Sequence, residues 1–156
     1  MEKEFKDIKS LLGNEGVDFR VHVHEPVYTS DQAARVRKEP QKSGVKSLIF
    51  FCDRNPVLIL VRGDHLADIS KIKRVTGAKD VRLATPEEVM NVCNCEIGSV
   101  HPLGRLMQVV RTIMDKTISE NKRVNFSAGL HTHTISMNLI DFVTIAQPEI
   151  VDIAKV

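Results

Sequence analysis

Tryptophan is absent from this chain of 156 residues, and tyrosine occurs once. Aromatic residues together make up only 4%, so the core must be aliphatic, and any ligand pocket has few rings to offer for stacking. Cysteine is nearly as scarce: three thiols are an odd number, and Cys93 and Cys95 stand one residue apart. That spacing suits reduced thiols in a reducing compartment, and no structural disulfide is expected. Long apolar runs are missing too. The run Leu48 to Cys52 is far too short to cross a bilayer, and Glu2, Lys3 and Glu4 begin the chain without the apolar stretch of a signal peptide. A cytoplasmic protein with no membrane partner is expected. The formal net charge of +2 is too small to mark a nucleic-acid protein by bulk charge. No P-loop, dinucleotide fingerprint, Ser-His-Asp signature, repeat or linker occurs.

What remains is an ordinary globular composition, 42% hydrophobic and 27% charged. A chain of this length forms one core readily and has no room for a second, so a single domain over residues 1–156 is expected. Basic residues gather in two stretches: Arg35, Arg37, Lys38, Lys42 and Lys46, then Lys71, Lys73, Arg74, Lys79 and Arg82. Beyond Val124 the chain is net acidic through Asp141, Glu149 and Asp152. The surface is expected either to carry one basic side or to use these charges to solvate helix faces.

Phe5, Ile8, Leu11 and Leu12 recur at helical spacing before Gly13-Asn14, an amphipathic helix that packs as a lid on a sheet face. Phe19, Val21 and Val23 alternate with Arg20, His22 and His24 as a half-buried strand. Ser30 is placed to cap a helix through Arg37. Val45 to Cys52 and Val57 to Val61, joined by Asp53-Arg54-Asn55-Pro56, form a hairpin at the sheet centre. Asp68 to Val75 is a helix closed by Gly77, Val81 to Leu83 a strand, and Thr85-Pro86-Glu87-Glu88 the start of a helix reaching about Cys93. Met107 to Ile113, Val124 to Ser127 and Thr134 to Met137 are further strands, with a turn or short helix at Asp115 to Glu120. Asn138 caps a last helix. This irregular interleaving, with strands joined too tightly for parallel crossovers, predicts an α+β fold with a mixed, strongly twisted, barrel-like sheet flanked by helices.

Four segments can carry chemistry. The loop Gly98-Ser99-Val100-His101-Pro102 can turn backbone amides inward, as an ester or carboxylate oxygen requires; otherwise it is a plain helix-to-strand turn. Lys46 opens an apolar strand, where it either snorkels to solvent or holds an anion at a pocket mouth. Tyr28 and Thr29 lie between a strand and a helix start, facing a ligand or serving the helix cap. Ser127-Ala128-Gly129 and the pair His131 and His133 add small residues and imidazoles on an extended chain. With His22, His24 and Cys93 or Cys95 they raise the question of zinc, but the spacings match no compact zinc motif, so no metal and no cofactor are expected.

Taken in order, His24-Glu25-Pro26 with Thr29 and Ala33, Gly44-Val45-Lys46-Ser47-Leu48, Gly98 to Pro102 with Gly104, and Ser127-Ala128-Gly129 resemble the YbaK and prolyl-tRNA synthetase-associated editing-domain family, over about Leu11 to Ile145. The resemblance implies a free-standing, metal-independent deacylase that hydrolyses the ester of an alanyl-, cysteinyl- or seryl-type mischarged tRNA, with a synthetase as a candidate recruiter and no DNA partner. It implies catalytic roles for Lys46 and the Gly98 amide. Pro102 would fix the loop, and the amino acid would lie against Tyr28, Thr29, Ser99, Val100, His101, Ser127, Gly129 and one of His131 and His133. A non-catalytic module that binds a tRNA end, nucleotide or aminoacyl-adenylate is the alternative; a metal-dependent hydrolase using the scattered histidines is a third. Oligomeric state is left open.

Overall fold

In the computed structural model, which describes residues 2–155, the chain runs α1 (Glu2–Asn14), β1 (Phe19–Val23), α2 (Ser30–Arg37), β2 (Val45–Cys52), β3 (Asn55–Arg62), β4 (Leu66–Ala67), α3 (Ile69–Thr76), β5 (Val81–Leu83) and α4 (Pro86–Cys93). It continues through β6 (Arg111–Asp115), β7 (Arg123–Ser127), β8 (His133–Asn138), α5 (Leu139–Ala146), β9 (Glu149–Val151) and β10 (Ala154–Lys155). Short 3-10 segments lie at Gln41–Ser43, Gly104–Leu106 and Lys116–Glu120.

The class is α+β with mixed strand directions. A five-stranded sheet has the order β5-β2-β3-β6-β9, antiparallel around β2 and parallel from β3 to β9. A separate antiparallel sheet has the order β1-β8-β7, and β4 pairs with β10. The two larger sheets meet at the start of β2, where Gly44 bridges Asn125 of β7, but among the described residues the strands do not close into a barrel.

Strand β3 reads as a continuous apolar run because both its faces are covered. Leu58 and Leu60 point into a core shared with α1, α4, α5 and the three-stranded sheet. Val57, Ile59 and Val61 point into a second cluster with Ile72 of α3 and Ile153. Each of these side chains contributes about 1.5 to 3 kcal/mol by leaving water. Helix α1 does act as a lid, burying Ile8 and Leu12 completely.

Several local expectations need correction. Thr29, not Ser30, caps α2: its Oγ1 accepts from the Gln32 amide at 3.1 Å. Asn138 occupies the cap position of α5 without capping it, because its Oδ1 accepts from Arg123 at 3.1 Å. Met107 to Val110 is not strand: the amides of Met107, Gln108 and Val110 are taken by Gly104, Val92 and Pro56 carbonyls, so pairing starts only at Arg111. The acidic C-terminal stretch does not stand apart from the basic ones. Lys71 pairs with Asp152 at 2.9 Å, which neutralises part of the second basic stretch, and Arg111, outside both stretches, pairs with Glu149 at 2.6 Å.

Candidate active site

A cavity of about 410 Å³ opens where the two larger sheets meet, a size within the roughly 300 to 1,000 Å³ of small-ligand sites. Strand β2 supplies Val45, Lys46 and Ser47, and β7 supplies Asn125, Phe126 and Ser127. The turn into α2 and the loop at Ile97-Gly98 form the opposing walls.

Lys46 is half-buried and pairs across the sheet with Val61. Its ammonium makes no hydrogen bond or ion pair among the described residues. Burial lowers its pKa from the ordinary lysine value, opposed by the charge of Asp64. A cation without a contacting counter-ion is a standing attraction for an anion or a developing oxyanion. Next to it the buried Ser47 Oγ lacks a hydrogen-bond partner among the described residues, in a wall that the cavity touches.

The loop opposite is held by its own backbone. Ser99 donates to the Glu96 carbonyl twice, through its amide at 3.0 Å and its hydroxyl at 2.8 Å. Gly129 donates to the Ser99 carbonyl at 3.1 Å, and Ser127 Oγ to the Gly98 carbonyl at 3.3 Å. Gly98 itself has φ +90°, a conformation glycine adopts without steric cost. With Ser99 committed, the Gly98 and Val100 amides are the loop donors that make no hydrogen bond among the described residues.

Of the residues singled out from the sequence, Lys46, Gly98, Tyr28, Thr29, Val100 and Ser127 line this cavity. The Thr29 Oγ1 accepts the capping bond and keeps its own hydrogen to donate, and the Tyr28 side chain is exposed at the mouth. Ser99, His101 and Pro102 are buried behind the loop, and Gly129 lies behind it as well. His131 stands beside Gly98, its Nδ1 hydrogen-bonded to the Val27 carbonyl at 3.0 Å and its ring 4.5 Å from that of Tyr28. His133 turns away and packs on Phe5 of α1, ring centroids 4.5 Å apart. The two histidines therefore do not share a face; neither is among the residues lining the cavity, and it is His131 that stands beside Gly98.

Sequence reasoning passed over Ser47, Asn125, Thr134 and Arg37, all of which line the cavity. Arg37 carried a signal as part of the first basic stretch, Ser47 as a member of the family pattern Gly44 to Leu48, and Thr134 only as the start of a strand. The histidines and thiols considered for zinc are not gathered: among the described residues no group of three or more His, Cys, Asp or Glu is arranged around a common point. The three thiols are free and buried.

His101 is fully buried, with Nδ1 accepting from the Leu103 amide at 3.2 Å and Nε2 without a partner among the described residues. Burial pushes its pKa down to about 4. The unfolded chain, with an ordinary histidine, binds that proton more readily. Stability is therefore full above about pH 6.5 and is lost as pH falls from there toward 4, by about 3 kcal/mol in all. Urea unfolding at pH 7 and pH 4.5 checks this: His101→Gln is expected to lose less stability on acidification than wild type, and equal losses would show that His101 is not the group responsible.

Solved structures place the fold. A putative trans-editing enzyme for prolyl-tRNA synthetase superposes with TM-score 0.85 over 98% of both chains, at 22% identity. The aminoacyl-tRNA editing domain model matches residues 24–145, and the chain belongs to that family. The multifunctional Ser/Thr-tRNA deacylase ProXp-y of Escherichia coli K12 is 28% identical over 151 residues, 94% of this chain and 90% of the relative. A proline–tRNA ligase of a Geobacillus species is 42% identical over 85 residues, 54% of this chain but only 15% of the ligase. Among the described residues no helix is long and apolar enough to cross a membrane.

Proposed function

We propose that this protein, acting as a single editing domain in the cytoplasm, releases wrongly attached amino acids from tRNA by hydrolysing the ester at the 3′ end. The observation that carries the reading is the conjunction, in one cavity, of an ammonium without a contacting counter-ion and a loop whose Gly98 and Val100 amides are unspent. Water adds to the ester carbonyl, and the charge that gathers on its oxygen is received by the loop amides. The carbon–oxygen bond to the ribose then breaks, and the ribose oxygen takes up a proton relayed from the attacking water through the neighbouring ribose hydroxyl. Lys46 holds the aminoacyl-adenosine end and opposes the negative charge of the transition state. An aminoacyl ester is already activated, so orientation with such donors suffices without a protein general base.

The substrate class is a small amino acid. Ser47, with its orphaned hydroxyl in the wall, favours a hydroxyl-bearing side chain, in keeping with the Ser/Thr activity named for the Escherichia coli relative. The match to a segment of proline–tRNA ligases supports a synthetase as the enzyme that hands over the charged tRNA.

A panel of tRNAs charged with serine, threonine, alanine or cysteine tests this. Free amino acid is expected to be released, fastest from a hydroxyl-bearing ester, with a chelator present throughout. Binding without release would establish the module that merely holds a tRNA end. Loss of activity to the chelator would establish a metal-dependent hydrolase.

A further inference from the structure

A second cavity of about 300 Å³ adjoins the first; its polar lining is Arg20, His22, Arg37, Asn125, Thr134 and Ser136, together with one carboxylate, Glu39. Arg37, Asn125 and Thr134 belong to both cavities and form the partition between them.

Arg37 is the unusual member. Its side chain is only 7% exposed, yet the guanidinium, which has five N–H donors, makes a single long hydrogen bond among the described residues, from Nη2 to Ser43 Oγ at 3.5 Å. Among the described residues Nε is buried without a hydrogen bond, and the carboxylate oxygen paired with it, Glu39 Oε2, is 3.8 Å away. That oxygen is already shared, accepting from Asn125 Nδ2 at 3.0 Å and from Ser43 Oγ at 3.2 Å. A buried guanidinium is ordinarily saturated with acceptors, because stripping water from it is costly. Arg37 lines both cavities, so an anion held in either could supply acceptors that the described residues do not.

The second cavity continues the positive character outward. Arg20 is in its lining, and Arg123 reaches the same wall, donating to Ser136 Oγ at 3.2 to 3.3 Å. A ligand that fills the first cavity and leaves through the second therefore passes a buried cation at the junction and exposed cations beyond it. A single-stranded RNA end has that pattern, one phosphate per nucleotide.

We propose that Arg37 is the anchor for the phosphodiester joining the last two nucleotides of the substrate RNA, and that the second cavity receives the penultimate nucleotide. The proposal rests on the assignment of the first cavity to an aminoacyl-adenosine end. The planar fork of Arg suits two oxygens of a phosphate at once.

Two measurements test it. In the first, Arg37→Leu and wild type are compared on mischarged tRNA and on the same amino acid esterified to adenosine without a phosphate. The variant is expected to lose at least tenfold more kcat/KM on the tRNA than on the adenosine ester, mainly through KM. The salt dependence of its tRNA binding should be shallower by about 0.7 in logarithmic slope, the share of one single-strand phosphate contact. In the second, calorimetry compares adenosine 5′-monophosphate with adenosine. Wild type is expected to prefer the monophosphate at least tenfold, Arg37→Leu to show no preference, and Arg37→Lys to keep part of it.

Equal losses on both esters, or no monophosphate preference in wild type, overturn the anchor. So does a defect confined to esters of acidic amino acids, which would make the anion a side-chain carboxylate. Should wild type hydrolyse no mischarged tRNA yet show the Arg37-dependent monophosphate preference, the deacylase assignment falls and the phosphate site stands.

Discussion

In the Lys46→Ala variant, single-turnover hydrolysis of a mischarged tRNA is expected to fall by about 10² to 10³-fold, to the edge of detection, the loss associated with removing one donor from an oxyanion site. The fold should survive. The Lys46 ammonium makes no hydrogen bond or ion pair among the described residues, so no partner is orphaned when it goes, and the strand keeps its backbone pairing to Val61. The half-buried stem does cover apolar surface, so alanine should cost stability of about 1 kcal/mol or less by analogy with other partly exposed positions. Lys46→Met separates the two effects: it keeps the stem, should unfold with wild type, and should be as inactive as the alanine variant. Hydrolysis at the wild-type rate in either variant would remove Lys46 from the chemistry.

Gly98→Ala is expected to damage both activity and stability. A Cβ at this position would stand 2.9 Å from the Tyr28 carbonyl oxygen, and the φ of +90° is one that alanine rarely adopts. Strain of this kind costs about 1 to 3 kcal/mol. The loop can relieve it only by moving away from the α2 turn, which takes the Gly98 and Val100 amides with it. A shift of about 1 Å suffices for a hundredfold loss of rate. Ser127→Ala offers a graded comparison, removing only the 3.3 Å hydrogen bond to the Gly98 carbonyl; its loss of rate should be several-fold. Near-normal hydrolysis by a well-folded Gly98→Ala protein would show that the loop amides do not receive the oxyanion.

The elements that rest on neighbouring residues were legible in the sequence. The Thr85-Pro86-Glu87-Glu88 start forms a reciprocal capping box at α4, with both bonds made within four residues. The β2-β3 hairpin is likewise local, closed by a turn in which Asp53 has positive φ. Lys46 and Gly98 were legible only through their order within a family pattern, since nothing local says that a strand-borne Lys and a loop fifty residues on share a cavity.

What stayed hidden depends on partners far along the chain. Strands β4, β9 and β10 are two or three residues long and exist only because β10 pairs with β4 and β9 adds in parallel to β6. The alternation of β1 was read correctly as a strand but not as an edge. With β8 on one side only, Val21 and Val23 remain 37% and 65% exposed. Arg37 was read with its basic neighbours as surface, because composition cannot tell a solvated guanidinium from one enclosed between two cavities.

The missing tryptophan and the single tyrosine have a spectroscopic consequence. Tyr28 is the only strong ultraviolet fluorophore in the chain, and its ring lies 59% exposed at the cavity mouth with His131 on one side. The intrinsic emission of the whole protein therefore originates at the site. A nucleobase settling on that ring would quench or shift it, so unlabelled, wild-type protein can report occupancy in real time, ahead of and separately from the release of product.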